Sequence, residues 1–511
     1  MNSRFLYLLV FITGASIMEL EMSASRLLAP YFGTSQLVWA NLIGLILIGL
    51  SAGYWLGGKL ADRHPRLEVL LGIVFAAGAY QALIPLFARP VLNLMIGGWF
   101  GTPITVILLS FAAILLIFLP PTIALATASP YAIRLATRSV ETAGQVAGGL
   151  YAASTFGSIV GTFLPAFVTI PFLGTRWTLI LFAALQMVIA LYGLKGRRLL
   201  AAFLLVPFLG VLGAAGAEKP VPGLQFEGDS FYQYVQVVEE GGTYYLVVNE
   251  GGGIQSLYRP GAFFTDFYAD NFTVLPFLVD ARPEKVLVVG SAGGTLFRLW
   301  DQLVKPAIPM EMEGIEIDPL VASLGHRFFG LRGDEAKVHI GDGRVVLAAT
   351  QERYDLIVVD AYSNQLYIPF QLTTKEFFTA AKDHLEKGGI LALNVNAVNQ
   401  EAPLLEAMKT TLASVFPYTY MAKVRGPYNY LLVGAKEPLS VEGLAQKVRE
   451  MALSSPSEDM RIHAQDLYQV AWELEKAWVP YRDGKGLLLT DDRAPLEYLT
   501  HVMIMKEALG R

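Results

Sequence analysis

Seven long apolar stretches in the first 217 residues are the feature that most constrains the fold of this 511-residue chain. Each is near or above the ~20 residues that a membrane-spanning helix needs. Charged residues make up only 16% of the chain, against about 25% in an average soluble protein. The sequence therefore predicts an α-helical membrane bundle over residues 1–219, with apolar segments at about 5–28, 37–61, 67–88, 103–127, 144–172, 176–194 and 198–217.

Three charged residues lie in or near the first apolar stretch, namely Glu19, Glu21 and Arg26. Charges inside a membrane are costly, and they usually pair with one another or line a pathway. The sequence leaves two interpretations open. One is a structural ion pair near a helix end, and the other is a substrate path or lateral entry site.

After Glu218 the sequence has the pattern of an α/β protein. Residues 220–265 alternate and contain Gly–Gly turns, which predicts a small β-domain. From 266 to 439, a helix at "FFTDFYADNFTVLPFLV" is followed by continuous apolar runs, typical of buried parallel strands, that alternate with helical patterns. This predicts a doubly wound sheet whose last two strands pair antiparallel. Residues 440–511 are predicted to be a mainly helical C-terminal segment.

Four predicted strand ends carry candidate site residues, because ligands of open α/β sheets bind beyond the carboxyl ends of the strands. Small residues after the first strand let a ligand approach the backbone and the next helix N-terminus. An acid after the second strand can accept hydrogen bonds from two ribose hydroxyls. An acid after the third strand can accept one from an adenine amino group. An acid after the fourth strand could take a proton from an attacking amine. These residues are the Gly290–Gly294 turn with Gly293, Glu316, Asp342 with Gly343, and Asp360.

Each of these residues also has a purely structural interpretation. A tight strand-to-helix turn explains the glycines, a helix cap explains Asp342, and a buried structural acid explains Asp360. Asp318 is predicted to cap a helix that begins with Pro319. The four strand ends together are more specific than any one of them.

Composition and motifs exclude several classes of protein. The net charge of −5 does not favour nucleic-acid binding. There are no cysteines, and the six histidines are scattered, so no metal-ligand spacing is found and no metal is expected. "GSAGGT" lacks the Lys of a phosphate-binding loop. A nicotinamide dehydrogenase would share the glycine turn and Glu316, but it would not by itself explain Asp342–Gly343 together with Asp360.

At these residues, over about 225–435, the sequence resembles the polyamine aminopropyltransferase, or spermidine synthase, family. "ELEMSASRLLAPYFG", "GYWLGGKLADRHP" and "LTDDRAPLEYL" are similar to stretches of relatives in which such a domain is fused to a multi-span membrane bundle. The resemblance implies an α/β Rossmann-like fold of the S-adenosylmethionine-dependent methyltransferase type, with a small β-domain in front. It also implies a decarboxylated S-adenosylmethionine donor, an amine or polyamine acceptor, and methylthioadenosine as the leaving group.

The resemblance also assigns roles to individual residues. It implies that Asp360 is the general base and that Tyr428 lines the amine site, with Tyr232 beside it. The residues implied to contact the nucleoside of the donor are Gln233, Gly290, Gly293, Glu316, Asp342, Gly343 and Pro369.

The sequence departs from the family pattern at three positions near the amine. Gly293 stands where the family's glycine loop usually has an acid, and Ser363 stands where a second acid usually follows the base. A tyrosine–histidine–glutamate stretch appears here as Tyr268-Ala269-Asp270. An acid at position 293 would repel a donor carboxylate, so its absence predicts that the pocket could admit S-adenosylmethionine itself.

Three functional hypotheses therefore remain open. The first is an aminopropyltransferase whose missing acids are replaced by Asp270, Asp491 or Asp492. The second is an S-adenosylmethionine-dependent enzyme that transfers or cyclises the aminocarboxypropyl arm, or moves the methyl group. The third is a transporter or sensor whose C-terminal half binds a nucleoside or polyamine without catalysis.

The distribution of Lys and Arg predicts the membrane orientation, since cytoplasmic loops carry more of them. Nine such residues would lie on one side of the bundle and three on the other, which places the first side in the cytoplasm. Seven spans would then export the C-terminal half, whereas a sulfonium nucleotide is expected in the cytosol. We therefore predict a multi-pass protein of the cell membrane whose last segment, interrupted by Pro207, does not cross, leaving the catalytic domain cytoplasmic. Expected partners are the lipid bilayer and a second copy in a homodimer; the nine residues are Arg4, Lys59, Arg63, Arg66, Arg134, Arg138, Lys195, Arg197 and Arg198.

Overall fold

The computed structural model describes residues 3–96, 103–194, 200–214, 217–250, 253–279, 283–363 and 367–508. The chain forms two compact units. The first comprises Met1–Val221 with Glu227–Tyr234, and the second comprises Pro222–Phe226 with Val235–Arg511.

Helices make up almost all of the described part of the first unit, as its apolar sequence predicts. A short π-helical segment, Pro165–Thr169, joins the seventh and eighth of them. The helices are α1 Ser3–Phe32, α2 Gln36–Arg63, α3 Leu67–Ile96, α4 Pro103–Ile117, α5 Leu119–Ala126, α6 Ala128–Ala136, α7 Ala143–Leu164, α8 Ile170–Leu173, α9 Thr175–Leu194 and α10 Leu200–Ala214.

Five helical segments of the described chain are long and apolar enough to cross a membrane, or six if a pair bent by 48° counts as one span. The predicted number of seven is therefore wrong for the described residues. The described part of the last apolar stretch forms α10, Leu200–Ala214, and residues 195–199 and 215–216 beside it lie outside the described chain. Lys195, Arg197 and Arg198 lie outside the described residues, so the orientation remains a prediction.

Glycines allow close packing between helices of this unit. A Cβ at Gly157 or Gly161 of α7 would overlap the backbone of α1 at Phe11 or Ala15. A Cβ at Gly53 of α2 would lie 2.5 Å from the carbonyl oxygen of Ile123 in α5. Small residues thus let these apolar helices pack closely against one another.

A four-stranded antiparallel sheet follows the helices in the chain, in the order β1-β2-β3-β4. Its strands are β1 Leu224–Asp229, β2 Tyr234–Glu240, β3 Thr243–Val248 and β4 Ile254–Tyr258. Gly241 and Gly242 turn the β2–β3 hairpin with φ of 58° and 80°, which a side chain would disfavour.

The second unit is built on an eight-stranded mixed sheet in the order β12-β10-β11-β9-β8-β5-β6-β7. Its strands are β5 Lys285–Val289, β6 Glu311–Glu316, β7 Lys337–Ile340, β8 Tyr354–Val359, β9 Leu385–Asn396, β10 Tyr418–Lys423, β11 Asn429–Ala435 and β12 Val479–Tyr481. The strands β5 to β9 pair in parallel, and β10 and β11 pair antiparallel, as predicted.

Ten helices of the described chain surround this sheet. They are α11 Tyr268–Thr273, α12 Thr295–Leu303, α13 Pro319–Phe328, α14 Gly343–Ala349, α15 Lys375–Asp383, α16 Pro403–Ala413, α17 Leu444–Leu453, α18 Glu458–Ile462, α19 Ala464–Ala477 and α20 Leu496–Ala508. The helix predicted before β5 is interrupted, because a 3₁₀ turn containing Pro276 follows α11.

The order of the sheet reverses at β5, which lies between β8 and β6. In open α/β sheets such a switch point opens a crevice beyond the carboxyl ends of the strands. Buried apolar side chains cover both faces of the sheet. The topology therefore directs attention to the loops that follow β5, β6, β7 and β8.

Candidate active site

The four strand ends that the sequence singles out lie along one edge of the sheet. Gly290 follows β5, Glu316 ends β6, Asp342 follows β7, and Asp360 follows β8. Because these four strands are neighbours that run in parallel, their carboxyl ends lie side by side. The predicted residues thus share the edge at which a ligand of such a sheet binds.

Backbone hydrogen bonds fix the loops on the neighbouring strands. The N–H of Asp360 donates to the carbonyl of Val289 over 2.9 Å, and the N–H of Gly290 donates to the carbonyl of Ile315 over 2.9 Å. The loops after β8 and β5 are therefore held against each other rather than left to sample separate positions.

An open cleft with an empty volume of about 540 Å³ lies at this edge. Its described lining is mostly apolar, from β4, α11, the glycine turn and α12. The polar side chains in that lining are Gln255, Ser256, Thr265, Tyr268, Ser291, Thr295 and Asp360.

Asp360 is the acid that lines the described part of this cleft. Its Oδ2 accepts a hydrogen bond from the hydroxyl of Tyr268 over 2.8 Å, and its Oδ1 accepts one from Nδ2 of Asn394 over 2.9 Å. Burial raises the pKa of Asp360 to about 6, while these two hydrogen bonds act in the opposite direction. Burial, followed by the charge of Asp360, raises the pKa of Tyr268 well above its usual value, so the phenol keeps its proton.

A second asparagine orients the amide that holds Asp360. Nδ2 of Asn429 donates to Oδ1 of Asn394 over 3.0 Å and to Oδ1 of Asn396 over 2.8 Å. With its oxygen held this way, Asn394 presents its N–H₂ group to Asp360. Sequence reasoning missed these residues. The available signal was the pair of polar residues at alternate positions in the apolar strand "LALNVN", which share one face of the strand.

Glu316 is buried and ties two loops together. Its Oε2 accepts from the N–H of Ala292 over 2.8 Å, and its Oε1 accepts from the N–H of Asp318 over 3.0 Å. Burial raises the pKa of Glu316, and the two backbone hydrogen bonds favour its charged form. Asp318 accepts from the N–H of Leu320 over 3.0 Å, so its predicted role as a helix cap is confirmed.

Gly290 and Gly343 lie where a side chain would not fit. Gly290 has φ of 85°, and a Cβ there would lie 2.6 Å from the carbonyl oxygen of Asp360 and from Cα of Ala361. A Cβ at Gly343 would lie 2.5 Å from Cγ1 of Val289. Both glycines therefore serve close packing of the strand ends, in agreement with the tight-turn interpretation.

Gly293 contacts the small β-sheet. Its N–H donates to Oγ of Ser256 over 2.8 Å. A Cβ at this position would lie 3.1 Å from Cβ of Ser256 and 3.2 Å from the ring of Phe329. An acid at position 293 would therefore crowd β4, which gives a steric reason for the glycine.

Ser291 has a hydroxyl without a partner among the described residues. Its side chain lines the cleft and is only 7% exposed. A buried hydroxyl without a hydrogen bond costs free energy, so such a group often marks the position of a ligand or water. The serine is thus available to a bound molecule.

Asp342 caps α14, as its structural interpretation predicts. Its Oδ1 accepts from the N–H groups of Arg344 over 2.9 Å and Val345 over 3.1 Å. Both bonds end on the same oxygen. Contact of Asp342 and Gly343 with an adenine base remains a prediction, in which Oδ2 of Asp342 would accept the hydrogen bond.

Asp270 does not fit its predicted role as a replacement acid for an amine. Its buried carboxylate accepts from the N–H and hydroxyl of Thr265, from the N–H of Asp266, and from Arg425 over 2.8 Å. Four donors at 2.7–2.8 Å saturate the two oxygens. Arg425 also pairs with Glu473, so this acid holds α11 and α19 together.

Asp491 is also engaged away from the described cleft lining. It forms a two-pronged ion pair with Arg344 at 2.6 and 2.5 Å and accepts from the hydroxyl of Thr374 over 2.7 Å. Asp492 is exposed. Protein donors already use the carboxylates of Asp491 and Asp270, which does not favour either as a replacement acid, and this role remains a prediction.

The remaining predicted residues of the second unit lie on loops. The N–H of Ser363 donates to the carbonyl of Tyr367 over 3.0 Å, beside residues 364–366, which lie outside the described chain. Pro369 begins a 3₁₀ turn, and Tyr428 is exposed just before β11. Their roles at the donor and amine remain predictions.

Tyr232 and Gln233 belong to the first unit. Their N–H groups both donate to Oγ of Ser230 over 3.0 Å, which forms a tight turn before β2. The ring of Tyr232 is 49% exposed. Their predicted contacts with the nucleoside and the amine are untested.

Within the described residues, no group of three or more His, Asp or Glu side chains could hold a metal ion. Independently of this, Asp360 places one carboxyl group in a cleft whose described lining is mostly apolar.

Comparison with known proteins supports this description. Residues 265–431 match the family profile "Spermine/spermidine synthase domain". A "Probable polyamine aminopropyl transferase" of Bifidobacterium longum is 33% identical over 287 residues, which is 54% of this chain and 62% of that relative. "Polyamine aminopropyltransferase 2" of Aquifex aeolicus is 22% identical over 463 residues, or 86% of this chain and 90% of the relative.

Among solved structures, a probable spermidine synthase from Corynebacterium glutamicum is 17% identical. The match covers 48% of this chain and 94% of the other, with a TM-score of 0.37. The present chain spans less than two thirds of the Bifidobacterium relative's length.

The fold and the site define a doubly wound α/β domain with an acid at its switch point, a class that includes many nucleoside-binding enzymes. Residues 265–431 are similar to the spermine/spermidine synthase domain, and a wider part of the chain is similar to the Bifidobacterium relative.

Proposed function

We propose that the second unit transfers an aminopropyl group from decarboxylated S-adenosylmethionine to an amine and releases methylthioadenosine. The observation that carries this proposal is Asp360, an acid in the cleft at the switch point, with a pKa of about 6. A base with such a pKa is ionised at neutral pH yet still able to accept a proton. The names of the family and of the two relatives agree with this activity.

Residues of the cleft and of the neighbouring end of β6 fit this donor. Glu316 has the acceptor geometry for ribose hydroxyls, since each of its oxygens accepts one backbone N–H and has a further lone pair. The unpartnered hydroxyl of Ser291 is available to the bound molecule. The described lining contains no Lys or Arg. A donor carboxylate would find no cation there, which favours the decarboxylated donor over S-adenosylmethionine.

The reaction is a direct displacement. The amine nitrogen forms a bond to the methylene beside the sulfonium, the carbon–sulfur bond breaks, and its electron pair neutralises the sulfur as methylthioadenosine leaves. The new ammonium carries one proton more than the product amine. Asp360 accepts that proton, while Tyr268 and Asn394 hold its carboxylate in place.

The helices of the first unit would attach this enzyme to a lipid bilayer, with the second unit in the cytoplasm. The five or six helices of sufficient length and apolarity support a multi-pass arrangement. Protease treatment of sealed vesicles of known orientation tests it. Cleavage of the second unit from the cytoplasmic face is expected, and protection from that face would overturn the orientation.

Product analysis tests the reaction. The purified full chain would be incubated with either sulfonium donor, with and without putrescine. We expect methylthioadenosine only with the decarboxylated donor and an amine. Transfer products from S-adenosylmethionine would instead support the second hypothesis. Binding without turnover, together with accumulation of polyamine in vesicles, would support a transporter or sensor.

Asn394→Ala is expected to change the pH profile. The Asn394 amide lowers the pKa of Asp360, so its loss raises that pKa and leaves less of the base ionised at acid pH. We expect about a tenfold loss of kcat at pH 6 and a smaller loss at pH 8, the scale of one hydrogen bond to a charged group. The pH dependence of kcat measures this shift. Asn399→Ala, at an exposed turn, is the control, and an unshifted acid limb in Asn394→Ala would contradict the positioning role.

A further inference from the structure

A cluster of fully buried polar side chains crosses three helices of the first unit. We call it the Glu19 cluster. Its members are Ser16, Glu19 and Ser23 of α1, Gln81 of α3, and Gln186 of α9, all 0% exposed. The transfer reaction uses none of them. Burial of this much polarity among apolar helices is costly and usually functional.

Hydrogen bonds connect most of this cluster. Ser23 donates to Oε1 of Glu19 over 2.7 Å, and Nε2 of Gln81 donates to Oε2 of Glu19 over 2.7 Å. Nε2 of Gln186 donates to Oε1 of Gln81 over 2.6 Å. Neutral groups thus hold the Glu19 carboxyl, so the structural ion pair that the sequence left open does not involve Glu19 among the described contacts.

Two atoms of the cluster have no partner among the described residues. They are Oε1 of Gln186 and Oγ of Ser16, both completely buried. Oε1 of Gln186 can only accept a hydrogen bond. The cluster thus holds two buried polar atoms that the described residues leave unsatisfied, which is an independent sign that something binds there.

The packing around the cluster limits what that ligand is. Gly78 lies one turn before Gln81, and a Cβ there would lie 2.9 Å from the carbonyl oxygen of Ala183 and 3.1 Å from Cβ of Gln186. The helices α3 and α9 thus touch at this level. A polyamine would not fit between them, whereas a proton needs no volume.

The nearest cations along these helices lie toward one end of the unit. On α1, Arg26 lies seven residues after Glu19, and on α3, Arg89 lies eight residues after Gln81. On α9, Arg176 lies ten residues before Gln186. These separations correspond to roughly 10–15 Å along the helix axes. Arg26 donates to the carbonyl of Phe231, and Arg89 donates to that of Ala217.

Arg176 pairs with Glu218 at 3.9 Å, so a third cation is engaged at that end of the unit. No described hydrogen bond or ion pair joins Glu19 to the other titratable groups on α1 or on the helices packed against it, of which Glu21 is the nearest in sequence. They are Arg4, Tyr7, Glu21, Tyr31, Tyr54, Lys59, Asp62, Arg63, Glu68, Tyr80, Tyr131, Arg134, Tyr151 and Tyr192.

We propose that the Glu19 cluster is a proton-binding site of the helical unit, in which the Glu19 carboxyl takes up and releases a proton. A carboxylate here would be an uncompensated buried charge. Addition of a proton forms an O–H bond and makes the group neutral, which removes the cost of the buried charge. This inference concerns the first unit and is independent of the proposed transfer reaction.

Infrared difference spectroscopy of the full chain in lipid tests the proposal. Subtraction of Glu19→Gln from the wild type should leave a carbonyl band of a protonated carboxylic acid near neutral pH. That band should shift in D₂O and should disappear as the pH is raised. Glu21→Gln, on the same helix but only partly buried, is the control and should leave the band unchanged.

A wild-type-minus-mutant spectrum that shows only carboxylate bands, at every pH, would overturn the proposal. If Glu19→Gln does not fold, the wild-type pH titration in ¹³C-glutamate-labelled protein gives the same information. Absence of any labelled acid band that titrates with pH would then count against it. Methylthioadenosine release by Glu21→Gln and the wild type should be equal, which keeps this result separate from the transfer test.

Discussion

Asp360→Asn should slow amine transfer by about 10²- to 10⁴-fold, the usual scale for loss of a general base. The amide has nearly the same shape and keeps an oxygen that can accept from Tyr268, but it cannot take a proton from the attacking amine. Donor binding should be nearly unchanged, because the substitution leaves Glu316 and the glycine turn intact. Single-turnover release of methylthioadenosine measures the first effect, and calorimetric titration with the donor measures the second.

Asp459→Asn is the matched control, since Asp459 is exposed in the first turn of α18. It should behave like the wild type in both measurements. Equal transfer rates for Asp360→Asn and the wild type would remove the proposed role. The remaining activity of a base variant should also lose the fall in rate below about pH 6, since the pKa of about 6 belongs to Asp360.

Glu316→Gln should weaken donor binding by about 10- to 100-fold while changing the rate at saturating donor much less. A glutamine offers one oxygen where the carboxylate offers two. One of the N–H groups of Ala292 and Asp318 would then face an amide N–H₂ group. The ribose also loses a charged acceptor, and a hydrogen bond to a charged group contributes roughly 1.5–3 kcal/mol, which is the origin of the expected change in Kd.

Glu311→Gln provides the comparison on the same strand, because Glu311 begins β6 and is exposed. Its Kd for the donor should match that of the wild type. If Glu316→Gln instead lowers kcat and leaves Kd unchanged, the acid does not hold the donor, and the assignment of this strand end to the ribose fails. Together with Asp360→Asn, the variant separates binding from chemistry.

The sequence predicted the α/β topology well because its signals are local. Continuous apolar runs define β5, β8 and the second half of β9, and the small-residue turn after β5 marks the first strand end. The number of membrane spans was overestimated, since the described chain has five helical segments of sufficient length and apolarity, or six if the pair bent by 48° counts as one span. Asp318 was identified as a cap from its position immediately before Pro319.

The partners of the acidic side chains were much harder to predict. Asp270 and Asp491 are acids of the right charge, but Arg425 and Arg344, which lie about 150 residues away in the sequence, neutralise them. The support of Asp360 by Asn394 depends on pairing between separate strands. Such contacts follow from tertiary structure, which periodicity and spacing do not encode.

The antiparallel alignment of β9 with β11 has a consequence for the proposed base. Asn429 lies opposite Asn396 in this ladder. Its amide donates to Asn394, and the amide of Asn394 donates to Asp360. A shift by a single residue would turn Asn429 to the opposite face of the sheet. The loop between β10 and β11 is remote in sequence from Asp360. An insertion there that shifts this register should nevertheless impair proton transfer by Asp360, as a substitution next to Asp360 would.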